Sequence, residues 1–445
     1  MTLGGRESKL AEKLFRPASV FHQPGCLFFH YVFTHRNHGS ISQTHVMSAH
    51  PLHKFVGFVF ALGLLSPVNG SAQTAPTLEE RLQALERQVQ GLSRENTELK
   101  KQLGWKDAVA SVTPQPGGKE TKLIVGGFLQ GQAEFGNASD PRWAAVKDRF
   151  FFRRARIYLA GSFAEDFDFK AELDLQGNTL GAGTGQLARA NEIYINWRKY
   201  PFANLRLGQL KPAFGGEALA SDTNIFTVER SLSNDRLTDG RQLAASVAGE
   251  LFDKKLSYLA VVANGNGSNV SANDNSKFSK SARLVYTPVA TASDKLTVAI
   301  DGLWTEDVNV AKSDFGLPGN LFTGSRRMSG VDVTWTHGRL DLNAEWLHGT
   351  FKPTGAVPAA KFEAEGWQAT AAYFLIPAKL RAVIREESFD PNTATGGNTI
   401  RTTTFGLNYY LKGEDIKFMV DYLDGLVPGS STDGGRLLTR VQIVF

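Results

Sequence analysis

Cysteine is nearly missing from this 445-residue chain, with Cys26 its only instance. A disulfide framework and a paired redox thiol are therefore excluded. No run of about 20 apolar residues occurs, so no transmembrane helix is expected. Charged residues make up 21% and the mean hydropathy is −0.22, which rules out a bundle of apolar helices. The GxxxxGK[ST] phosphate loop, the HExxH zinc motif and the GxSxG nucleophile elbow are all absent. His337 and His348 stand alone, so a catalytic or metal-binding constellation is not expected, and nothing points to an enzyme or a cofactor. What is abundant is glycine (44) and phenylalanine (30), which suits tight turns and apolar ring surfaces.

The N-terminal part reads as a processed leader. Lys54 precedes an 11-residue apolar core, Phe55 to Leu65, and Pro67, Asn69 and Gly70 break the helix before Gly70-Ser71-Ala72. This is the layout of a cleaved signal peptide over 47–72, and its core is too short to span a bilayer. Residues 1–46 are expected to be an extension upstream of a true start at Met47. Residues 1–72 hold six Lys/Arg and two acids, so residues 73–445 carry 43 basic against 42 acidic side chains. The pI of 9.1 belongs largely to the leader and gives no argument for nucleic acid.

Over 77–104, Leu78, Leu82, Leu85, Val89, Leu92, Asn96, Leu99 and Leu103 alternate spacings of four and three. Leu at every d position and one polar a position, Asn96, predict a short self-associating coiled coil. The Pro/Gly-rich stretch within 105–122 (SVTPQPGGK) predicts an extended linker.

From 123 to 445 the period changes to two. Phe167, Phe169, Ala171, Leu173 and Leu175 alternate with Asp168, Lys170, Glu172, Asp174 and Gln176, and Leu340, Leu342, Ala344 and Trp346 alternate with Asp341, Asn343 and Glu345. Such alternation marks strands with one apolar and one polar face. Tight links, such as Ala164–Asp166, Phe252–Lys254 and His337–Gly338, alternate with long polar ones, such as 178–187, 264–277, 307–326, 351–360, 390–398 and 427–434. This predicts an all-β, 16-stranded antiparallel transmembrane barrel, with apolar residues facing lipid, a wet lumen, and strand cores from 127–136 through 295–305 and 328–336 to 435–445. Trp197, Tyr286, Trp304, Trp335, Trp346, Tyr373, Tyr409 and Tyr422 fall near strand ends on the apolar face, and the last strand ends on Phe445. The third long link, about Lys211 to Asp239, is too long for an idle hairpin connection.

The segments FFRRARIYLAG (151–161), FDFKAELDL (167–175), LGQLKPAFGGE (207–217), VERSLSNDR (228–236) and KSARLVYTP (280–288), together with the overall layout, resemble the phosphate-selective porin O/P family. The resemblance implies a homotrimer in the outer membrane of a Gram-negative-type bacterium, a third loop folded into each pore, and passive diffusion of small anions such as phosphate or polyphosphate. It also implies basic residues at the narrowing.

By face, the lumenal bases are Arg154, Arg156, Lys170, Arg198, Arg206, Arg283, Arg381, Arg385, Lys417 and Arg440, with Arg153 opposite. The lumenal acids are Asp168, Glu172, Asp174, Glu192, Glu250, Asp301, Asp332, Asp341, Glu345 and Asp421, an even balance. Arginine and lysine rings favour anions. Arg154, Arg156, Lys170 and Arg198 on the wall, with Lys211, Arg230 and Arg236 on the third loop, are the candidate anion-binding and pore-lining residues. Glu172 and Glu192 are positioned to neutralise Arg154 and Arg156. A weakly selective porin, or a structural barrel tethered through its coiled coil, fits the same pattern.

Overall fold

The computed structural model describes residues 122–176, 188–311, 315, 321–354, 360–428 and 434–445. The leader, the coiled coil, the linker up to 121 and parts of four long loops lie outside the described residues. The chain divides into two compact units, 1–87 and 88–445, and only the second contains described residues.

Sixteen strands form one closed antiparallel barrel in which each pairs with its sequence neighbours and β1 closes on β16. In order they are β1 (Lys122–Gly136), β2 (Arg149–Phe163), β3 (Phe167–Asp174), β4 (Arg189–Tyr200), β5 (Ala203–Leu210) and β6 (Gln242–Leu251). Then follow β7 (Leu256–Ala263), β8 (Ser279–Ala290), β9 (Asp294–Ala311), β10 (Leu321–His337) and β11 (Leu340–Pro353). The last five are β12 (Phe362–Ile376), β13 (Leu380–Asp390), β14 (Ile400–Lys412), β15 (Ile416–Leu426) and β16 (Gly434–Val444).

Alternation accounts for the wall. Ile193, Ile195, Leu205, Leu207, Phe405, Leu407, Tyr409, Phe418, Val420 and Tyr422 are exposed on the outside, while Asn408, Lys417, Asp421 and Arg440 are buried inside. The short links match those expected, and several place non-glycine residues at positive φ, including Ala164, Glu165 and Phe252 through Lys254. Tight hairpins require such backbone because its twist matches that of the strands. Closure is completed by the last residue: the Gly127 N–H donates to the Phe445 carbonyl (2.8 Å), and the Phe445 N–H to the Gly127 carbonyl (3.0 Å).

Three expectations need correction. The stretch 307–326 is not all loop. β9 runs to Ala311 and β10 starts at Leu321, so Asp307 and Arg326 pair inside the wall at 2.8 Å. Its polar composition hid strands whose inward positions are filled by this buried ion pair. Arg153 does not face away from Arg154 and Arg156. A bulge between Gln130 and Gly131 of β1 leaves Arg153 as the extra residue of β2. Outward positions are therefore even before it (Phe150, Phe152) and odd after it (Ile157, Leu159), and Arg153 to Arg156 are all buried. Finally, the interior is not uniformly polar. On β9–β14, Leu303, Phe322, Met328, Leu347, Phe351, Ala364, Phe389 and Ile400 point inward and form one cluster with Phe214, Leu232 and Leu237 of the third loop. Burying a side chain of this size stabilises by about 1.5–3 kcal/mol, so this internal core anchors the loop within the barrel.

Candidate functional site

The third long loop, residues 211–241, leaves β5 and turns into the lumen. It carries two short helices, Gly216–Leu219 and Leu232–Leu237. The second helix begins on a cap in which the Ser231 hydroxyl accepts from the Asn234 N–H. Polar contacts fasten the loop around most of the wall. The Lys417 ammonium donates to the carbonyl of Thr223 (2.7 Å), and the Asn408 amide to that of Phe226 (2.6 Å). Arg385 donates to the Glu229 carbonyl (3.0 Å) and the Glu217 carboxylate (2.7 Å). The Gly215 N–H reaches Asp301 (3.2 Å), and Arg326 pairs with Asp239 (2.7 Å). The loop therefore narrows the lumen as a fixed wall rather than a free segment.

Two buried loop carboxylates organise the arginines. Asp222 accepts from Arg156 (2.5 Å) and Arg230 and lies 3.3 Å from Arg154. Glu229 pairs with Arg153 (2.9 Å) and Arg440 (2.6 Å). Burial alone would raise both carboxyls, but the facing guanidiniums hold them below the usual carboxylate range. Lys211 behaves differently. Its ammonium donates to the backbone carbonyls of Ala218 (2.6 Å) and Ala220 (3.3 Å) and makes no ion pair among the described residues. Burial, with the nearby Arg241 and Arg230 charges, pushes it down to about 7, while Asp222 and Glu192 act in the opposite sense.

Among the described residues, three cavities border the loop; one of about 270 Å³ sets Glu217, Asp332 and Asp341 against Arg283 and Arg385, and the other two carry a basic surplus. On the long-loop side lies one of about 440 Å³, lined by seven Arg/Lys and four Asp/Glu side chains. On the short-turn side lies one of about 340 Å³, lined by five Arg/Lys and three Asp/Glu. They share Lys211, Asp222 and Arg241, which thus mark the narrowing. The even balance on the strands becomes a basic surplus here because Arg142, Arg153 and Arg154 gather at the first cavity, where the loop itself contributes four bases and four acids.

The expected site residues are only partly brought together. Arg154, Lys211, Arg230 and Arg236 line the first cavity, and Arg156, Lys170 and Lys211 the second. Arg198 sits apart near the short turns, exposed and bonded to Asp168 at 2.8 Å. Of the carboxylates expected to neutralise the β2 arginines, Glu172 is 3.8 Å from Arg156, whereas Glu192 pairs with Lys170 (3.1 Å) and Arg241 (3.1 Å). The principal partners are Asp174 (2.9 Å from Arg156) and Asp222. Sequence reasoning missed Arg142, Arg153 and Arg241 as wall residues. Arg241 sits one residue before β6 and carried no face assignment.

A family model described as phosphate-selective porin O and P matches residues 129–443. Porin O of Pseudomonas aeruginosa is 22% identical over 74% of this chain and 89% of its own length. Among solved structures, the outer membrane channel DcaP of Acinetobacter baumannii superposes with a TM-score of 0.53 at 13% identity, covering 75% of this chain and 99% of that one. An anion-selective porin from Comamonas acidovorans superposes with a TM-score of 0.51 at 11% identity, covering 73% and 100%. The family and the fold point to a channel rather than an enzyme.

Proposed function

Because the chain belongs to the phosphate-selective porin O and P family, we propose that this outer-membrane porin is a passive channel favouring small anions, phosphate or polyphosphate among them. The observation that supports this reading is the surplus of basic side chains around the narrowing between the two cavities. A low-dielectric wall focuses such a surplus, raising the local anion concentration and depleting cations. The test is the zero-current potential of the purified channel in a planar bilayer under a KCl gradient, followed by added phosphate. An anion-favouring potential with block by phosphate supports the full reading. An anion-favouring potential without block leaves a weakly selective porin, and a cation-favouring potential refutes it.

Homotrimer assembly is part of the same proposal, and strand length supports a contact face. β3, β5 and β7 have only eight residues each. At roughly 3.4 Å per residue and a tilt of about 40°, that is about 20 Å of height, short of the roughly 25 Å apolar band a lipid-facing barrel wall presents. The outward Ile193, Ile195, Leu205 and Leu207 of this face are suited to meeting another copy. Export through cleavage after residue 72 is also proposed, and N-terminal sequencing of the outer-membrane form tests it.

A further inference from the structure

The lumen of a membrane barrel is ordinarily polar. On β4–β7 of this one, several inward positions are instead apolar: Leu210, Ala244, Val261 and Ala263 cluster with Ala213 of the third loop, and Tyr194 and Leu259 pack against them. The patch is mostly buried, with Val261 3% and Leu210 5% exposed, but Leu259 at its edge is part-exposed. Leu210, Leu259 and Val261 line the 340 Å³ cavity, joined by Phe128 and by Leu219 of the loop.

The cations of the same cavity fall into two groups. Arg156, Lys170 and Arg241 are each held by carboxylates, at 2.5 Å from Asp222, 2.7 Å from Glu172 and 3.1 Å from Glu192 respectively. Arg206 and Lys211 make no ion pair among the described residues. The Arg206 guanidinium lies 4.2 Å above the Tyr194 ring, and Lys211 has only backbone carbonyls. Fully hydrated inorganic phosphate could use these two charges but would leave the apolar wall against water. A solute with both an anionic group and an apolar body satisfies both surfaces.

We propose that this cavity is a binding site for a small organic anion, a compact apolar body carrying one carboxylate, with the carboxylate at Arg206 and Lys211 and the body on Leu259 and Val261. The proposal rests on the reading of the barrel as an anion-favouring channel and narrows the solute class within it. Burying roughly 70 Å² of a ring against this wall is worth about twentyfold in affinity over a carboxylate with no such body.

The experiment is current block of the channel, purified from outer membranes, by benzoate, acetate, inorganic phosphate and benzyl alcohol, with the zero-current potential measured on the same channels. Benzoate is expected to block at about twentyfold lower concentration than acetate. Val261→Thr, nearly equal in volume, is expected to shrink the benzoate-to-acetate ratio severalfold, and Arg206→Gln to weaken both anions. An anion-favouring channel blocked equally by benzoate and acetate overturns the site while leaving the channel reading intact. So does block by benzyl alcohol as strong as by benzoate. A cation-favouring potential, or no conductance, overturns the channel reading first and the site with it.

Discussion

Replacing Asp222 with Asn is expected to make the narrowing more anion-selective at a moderate cost in stability. Asp222 faces both cavities, so its neutralisation adds one positive charge to each. A unit charge about 5 Å from a passing ion in water is worth roughly 0.8 kcal/mol, or about fourfold for anion access and a similar factor against cations. Allowing for screening at 0.1 M salt, the chloride-to-potassium permeability ratio should rise by about tenfold. The three arginines are not left bare. Arg156 keeps Asp174 at 2.9 Å, Arg230 keeps the carbonyls of Glu217 and Ala220 at 2.8 Å each, and Arg154 keeps Gln130 at 2.8 Å. The Gln130 amide also still reaches the residue 222 carbonyl (2.9 Å). The cost should therefore sit near the low end for breaking a buried pair, about 3 kcal/mol, and the loop should stay in place. Asp222 also helps keep Lys211 protonated, so the assay is the zero-current potential under a tenfold KCl gradient at about pH 5.5, with the wild type in parallel. An unchanged or lower permeability ratio in a channel of normal conductance would refute the assignment of Asp222 to the narrowing.

Other expectations follow from the same geometry. Lys211 titrates at about 7 because burial disfavours its charge; it gains charge as pH falls, so anion preference should increase between pH 8 and 6, and Lys211→Met should flatten that profile. Glu229→Gln leaves Arg153 and Arg440 without their carboxylate and should lower barrel stability by about 3–5 kcal/mol, read as an earlier thermal transition in detergent. At Gly208, with φ of +146°, an added Cβ would lie 2.0 Å from the Ile193 carbonyl; Gly208→Val should reduce the yield of folded barrel on heat-modifiability gels, whereas Gly267→Ala, whose Cβ would meet nothing within 4 Å, should fold with a far smaller penalty. If the short-strand face meets a second copy, Leu207→Asp should shift the sedimenting species towards monomer, and an unchanged trimer would move the contact elsewhere.

The sequence by itself determined the barrel. A period of two survives in a single chain because each strand must show one face to lipid and the other to the lumen, and link length tells the two ends apart. Strand number, the short turns and the closing Phe445 were all legible for that reason. It also marked the third loop, because thirty residues without a strand need an explanation.

Only the tertiary structure decided where charges meet. Arg153 reached the lumen through a bulge of β2, which one-sided periodicity does not register. Asp222 and Glu229 found their wall arginines across separations of 66 to 211 residues, and the basic surplus arose where Arg142, Arg153 and Arg154 gathered beside the loop. The apolar lumenal patches on β9–β14 and β4–β7 were hidden too, since an inward Leu or Val reads in sequence like any core residue. Periodicity is a local property of the backbone. Ion pairing and lumenal lining depend on which distant segments share one enclosed space.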